Sequence, residues 1–143
     1  MPIPTPEPGL IISYAYLWDH EAQSGQEEGR KDRPCVITLA VERQQDGETL
    51  VTVLPVTHRP PDNTAAAVEI PSAVKQHLGL DDDRSWVVVT EGDQFIWPGY
   101  DLRKVRNMDR YDYGYLPPRF FKQVMDAFMA CHRANKVRLN SRE

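Results

Sequence analysis

The sequence predicts a mainly β, α+β fold: a small twisted β-barrel with one long helix packed on it. Three observations lead there. Short runs rich in Val, Ile and aromatic residues recur between turn signals from residue 10 to residue 97. One amphipathic stretch, the clearest helix, follows near the C-terminus. The strand–helix–strand alternation of a parallel sheet is missing.

Residues 1–8 read as an extended lead-in, whose four prolines and lack of basic residues do not fit a secretory signal. Leu10 to Trp18 alternates and reads as a strand. Residues 19–32 are polar, with glycines at 25 and 29, and read as a long mobile loop whose length points to function. Pro34 opens CVITLAV, the pattern of a buried central strand. Asp46-Gly47 is a hairpin signal before a strand over Leu50 to Val56, which Pro60 and Pro61 end. Ala66 to Ile70 reads as a short strand, and Ser72 to Leu78 as helical turns closed by Gly79. Ser85 to Thr90 and Gln94 to Trp97 supply two more strands before a connector holding Pro98, Gly99 and Asp101. From Pro118 to Ala134, Phe120, Phe121, Val124, Met125, Phe128 and Met129 recur at steps of three and four. Pro117 and Pro118 suit the first turn of that helix. The polar tail, 136–143, reads as frayed. The whole is expected to form a single domain over 1–143.

Composition narrows the function classes. The 17 basic and 21 acidic residues give a net charge of −4, which argues against a broad nucleic-acid-binding face. A nucleic-acid partner has to meet a local basic site, and Arg30, Lys31 and Arg33 form one cluster, Arg103, Lys104 and Arg106 another. The longest apolar run, GLIISYAYLW, is about half of a membrane span, so no membrane partner is expected. Cys35 and Cys131 have no metal-type spacing and read as reduced, buried thiols of a cytoplasmic protein. His20, His58, His77 and His132 are scattered, so neither a metal site nor a cofactor is expected.

The densest chemical signal is GQEEGRKDRPCVITLA (25–40) followed by LPVTHRPP (54–61). A glycine-bracketed loop carries Glu27, Glu28, Arg30, Lys31 and Arg33 straight into a buried strand, and the next strand ends in Thr57, His58 and Arg59. If those strands are neighbours, Arg33 and Thr57 meet at one edge of the sheet. Glu27, Glu28 and His58 are the titrating groups at hand for proton transfer. Trp18, Phe95 and Trp97 are candidates for stacking on nucleic-acid bases.

These stretches resemble the MazF/PemK toxins of toxin–antitoxin modules. The family shows a strand beginning with Gly, a G-x-E-x-x-G loop, R-P with an apolar strand, then a strand ending P-(I/V)-T. The matching residues are Gly9 to Leu17, Gly25, Glu27, Gly29, Arg33-Pro34 with CVITLA, and Pro55-Val56-Thr57. VVVTEGDQFIW, with Glu91, resembles a later element, and Phe120 to Ala130 is similar in placement to the family's helix. The resemblance spans most of residues 9 to 130. This chain departs from the pattern in a loop one residue longer, in Gly92 after the later glutamate, in WPGYDLRKVR, and in its acidic charge.

The resemblance implies an SH3-like barrel and a metal-independent endoribonuclease that cleaves single-stranded RNA by attack of the 2′-hydroxyl. It also implies a homodimer and a cognate antitoxin protein as partner. Arg33 and Thr57 then stabilise the phosphorane, assisted by Glu27, Glu28 or His58, with Arg30, Lys31 and Arg59 on the RNA. Plainer readings stand beside these. Arg33 can be a loop anchor paired to Asp32 or Glu27, Thr57 a strand-end cap, His58 a solvated loop residue, and Asp81 to Asp83 a solvated turn. The alternative for the whole chain is a non-catalytic nucleic-acid- or protein-binding module on the same fold.

Overall fold

The computed structural model describes residues 3–23 and 31–142. The strands are β1 (Leu10–Tyr14), β2 (Arg33–Glu42), β3 (Thr49–Thr57), β4 (Ala67–Glu69), β5 (Trp86–Val88), β6 (Glu91–Ile96), β7 (Asp112–Tyr115) and β8 (Arg138–Ser141). The helices are α1 (Asp19–Gln23), α2 (Ser72–Leu78) and α3 (Pro118–Arg133), with a 3-10 turn over Thr64–Ala66. The fold is α+β, a mostly antiparallel eight-stranded sheet with a few helices. Among the described residues no pairing joins the two ends of the path β4-β5-β3-β2-β1-β7. No helix there is long and apolar enough to cross a membrane.

β3 forks the sheet. One edge pairs with β2. The other pairs with β6 over Leu50 to Val53 and with β5 at Val56 and Thr57. Both faces of β1, of β2 from Cys35 to Thr38 and of β3 from Val51 to Val56 are covered, which is why these stretches read as apolar runs, whereas Leu39 and Val41 of β2 are exposed. On one face Ile11, Val36, Leu54 and Val56 meet Phe120, Val124, Phe128 and Cys131 of α3. On the other, Ile12, Tyr14, Cys35, Ile37, Val51 and Val53 enclose Phe95. Both cysteines are free and buried, one in each core. In α3 the buried residues recur at steps of four, four and three, while Met129 of the expected stripe faces solvent. Gly79 ends α2 in the left-handed conformation at φ 69°, where a side chain would be strained.

Four expectations change. β1 stops at Tyr14, and Ala15 to Trp18 run on without strand pairing. The segment expected as a loop from residue 19 starts as the helix α1; residues 24–30 lie outside the described residues. The connector after Trp97 leads to a further strand, β7, beside β1. The tail expected to fray forms β8, parallel to β6 from Arg138 beside Glu91 to Ser141 beside Gln94. RLNS carries no apolar alternation, so its pattern gave no signal; backbone bonds and the residue after it hold it.

That residue is Arg142, whose side chain is 6% exposed. It lies 2.9 Å from Asp101 and 4.0 Å from the fully buried Asp93. Burial pushes the Asp93 carboxyl up to about 7, against the pull of Arg142 and of the Leu17 N–H. Removing one partner of a buried ion pair leaves the other charge uncompensated, which costs about 3–5 kcal/mol. Arg142→Ala is expected to lose stability on that scale in urea denaturation, and a loss below about 1 kcal/mol would overturn this account. The raised Asp93 value means that the native state holds a proton which the unfolded chain releases near 3.8. Stability from this group is present at low pH and lost as pH rises towards about 7. Asp93→Asn should flatten the fall of Tm across that window, measured by calorimetry, and an unchanged slope would remove Asp93 as its source.

Candidate functional site

Arg33 opens β2 and Thr57 closes β3. The strands pair antiparallel with Cys35 opposite Pro55, and the same register carried two residues farther sets Arg33 across from Thr57. Both side chains line an open cleft of about 680 Å³, joined by Trp18, Lys31, His58 and Glu91. The cleft sits where β3 leaves β6 for β5, so the fork in the sheet makes room for it.

Arg33 is seated between an aromatic face and a backbone carbonyl. Its guanidinium carbon lies 4.8 Å from the Trp18 ring centre, and Nη1 donates to the Val56 carbonyl at 3.3 Å. Its Nε is buried and has no hydrogen-bond partner among the described residues. Burial pulls the guanidinium below its ordinary pKa, while Cys35, Glu21 and Tyr16 act the other way. A partly desolvated cation with an unused donor gains more from an arriving anion than a solvated one does. Of the two partners of the plainer reading, Asp32 and Glu27, Asp32 faces Arg103, at 3.9 Å. Glu27, Glu28 and Arg30 lie outside the described residues.

The Thr57 hydroxyl accepts the Arg59 N–H at 3.1 Å. That bond fixes the turn and leaves the hydroxyl proton to be donated elsewhere. Arg59 lines the same cleft. His58 is tied by Nε2 to Asp81 at 2.9 Å, and the buried Lys75 ammonium reaches the other oxygen of Asp81 at 3.0 Å. The turn at Asp81 to Asp83 is exposed, as expected, and Asp81 is ion-paired within it. His58, Asp81 and Asp83 offer ligand atoms within 4.8 Å of one another, all on exposed residues. The ammonium already on Asp81 works against a cation there.

Glu91 is the site residue that the candidate list missed. It stands half-buried on the cleft wall, and its Oε1 accepts both the Tyr16 hydroxyl at 3.0 Å and the Asp19 N–H at 2.9 Å. Burial raises its pKa, and those two hydrogen bonds pull it back. A lone acid between Thr90 and Gly92 at a strand start was the available signal. Gly92 itself has a steric reason: a Cβ there would run into the Val53 carbonyl of β3.

Two aromatic candidates are corrected. Phe95 is 2% exposed and stacks on Tyr14, with ring centres 4.9 Å apart. Trp97 stacks on Phe95 at 6.1 Å and borders a different depression with Tyr100. Alternation along β6 sends Phe95 inward, so only Trp18 of the three reaches the cleft. Phe95→Ala should cost about 3–5 kcal/mol in chemical denaturation, as for a large core aromatic. Trp18→Ala should cost about 1 kcal/mol or less; equal losses would show that Trp18 is core as well. No family model matches the chain, and no curated protein matches it, so the functional reading stands on this geometry.

Proposed function

We propose that the chain is a metal-independent endoribonuclease of the MazF/PemK toxin kind, acting on single-stranded RNA in the cytoplasm. The observation that carries the reading is the pairing of Arg33 and Thr57 across adjacent strand ends in one open cleft. The forked antiparallel sheet with α3 against it supports an SH3-like barrel as the finer description of the fold. A homodimer and an acidic antitoxin segment occupying the same cleft belong to this reading.

The chemistry asks little of the protein. The 2′-oxygen attacks the adjacent phosphorus, the P–O5′ bond breaks, and the products are a 2′,3′-cyclic phosphate and a 5′-hydroxyl. Negative charge grows on the non-bridging oxygens, and a planar guanidinium with fixed donors matches it. The Arg33 guanidinium on the cleft wall supplies donors and the Thr57 hydroxyl another. Arginine holds its proton too firmly to act as the base. Glu91 receives the 2′-hydroxyl proton, since its raised pKa makes it a stronger base than an ordinary glutamate. His58, oriented by Asp81, donates a proton to the leaving 5′-oxygen.

Cleavage of a long RNA should persist in excess chelator and leave cyclic-phosphate ends. Arg33→Ala should lower kcat by about 10²–10³, as for loss of an oxyanion donor. Activity should fall as pH drops through the raised Glu91 value, and Glu91→Gln should lower the rate and flatten that acid limb. Full activity in Arg33→Ala, or loss of activity on chelation, would end the proposal. RNA binding without cleavage by the unaltered protein would favour the non-catalytic module, which the net charge of −4 also suits.

A further inference from the structure

A second cleft, about 500 Å³ in volume, adjoins the first and shares Lys31, Arg33 and His58 with it. Those three residues form a ridge between two hollows. The second hollow offers an apolar surface from Val56, Leu80, Val105 and Tyr113 beside the buried Ser85. Arg106 stands at its rim.

The charges around this hollow are not equivalent. Its two carboxylates are occupied, Asp32 by Arg103 at 3.9 Å and Asp81 by Lys75 and His58. Of the basic cluster 103–106, Arg103 also donates to the Leu102 carbonyl at 3.3 Å, and Lys104 is paired with Asp109 at 2.8 Å. Arg106 has no hydrogen bond or ion pair among the described residues. It is presented by a tight turn, in which the Val105 N–H donates to the Arg110 carbonyl at 2.7 Å and the Met108 N–H to the Val105 carbonyl at 3.0 Å. Val105 is buried at the base of that turn, so Arg106 projects from an anchored element.

An apolar surface, a cationic rim and a volume within the ordinary range for small-ligand sites fit a nucleotide, base on that surface and phosphate on the rim. We propose that this second cleft holds the nucleotide adjoining the phosphodiester gripped by Arg33, with Arg106 on the next phosphate along the strand. The inference rests on the RNA reading of the first cleft and extends it to a substrate track two hollows long. Single-stranded RNA is the occupant because a duplex cannot splay one base into a recessed hollow.

The test is binding of a fluorescein-labelled, uncleavable 2′-O-methyl RNA of mixed sequence to the full chain, by anisotropy across a salt series. Arg106→Glu should weaken binding about tenfold or more and reduce the salt slope by about one ion. Lys104→Ala, two residues away and outside the cleft, should stay within about twofold. In cleavage assays Arg106→Glu should raise KM and leave kcat unchanged. Binding that depends on Arg106 without any cleavage by the unaltered protein would keep the subsite and end the nuclease reading. Cleavage indifferent to Arg106 would keep the nuclease and overturn the subsite. No RNA binding by the unaltered protein would overturn it too.

Discussion

The register between β2 and β3 is the constraint on which the rest of the molecule depends. Side chains alternate along a strand, so a slip of one residue would turn one strand over against the other. With β3 held in place, Val36 would then meet the aromatic core, and Cys35 and Ile37 the helix. Both layers are close-packed around different shapes, one around the Tyr14–Phe95 stack and the other around α3. The same register that satisfies both cores carries Arg33 to the place facing Thr57. The pairing of these two side chains in one cleft is thus a by-product of packing.

The fork in β3 gives that pair its opening. A strand continuously paired on both sides would leave no hollow at its end. Here β6 releases β3 after Val53, β5 takes it up at Val56, and the backbone between them is not shared. Gly92 lies at the point of release, pressed against the Val53 carbonyl. Glu91, immediately before it, is thereby turned into the cleft rather than into the sheet. Local charge follows the same logic. The molecule as a whole is acidic, but the ridge between the two hollows carries Lys31, Arg33 and His58, and field strength at a recessed site is set by near neighbours.

Much of this was legible before coordinates. α3 and the Gly79 stop were read within a residue, because a stripe at steps of three and four and a left-handed cap each have one structural meaning. The hairpin at Asp46-Gly47 was equally plain, and the run expected to be buried after Pro34 is so only from Cys35 to Thr38, with Leu39 and Val41 exposed. What failed was short and polar. β7 and β8 have four residues each, no alternation, and depend on partners far along the chain. That Arg33 and Thr57 come together was legible because each sits at the end of one of two hairpin-linked strands. Glu91 was missed as a site residue because its role depends on Tyr16 and α1, distant in sequence. Phe95 was misplaced because an aromatic near a turn reads the same whether it points in or out.

The two thiols turn this layered arrangement into a pair of internal clocks. Cys35 lies wholly within the aromatic layer beneath Arg33, and burial holds its pKa well above the ordinary thiol range. Cys131 lies in the other layer, on the inner face of α3, with its sulfur 3.4 Å from the Ala65 carbonyl. A thiol-reactive probe reaches either one only when its own layer opens. The rate of modification at each position therefore times the breathing of one layer independently of its neighbour, with no residue changed to install the reporter.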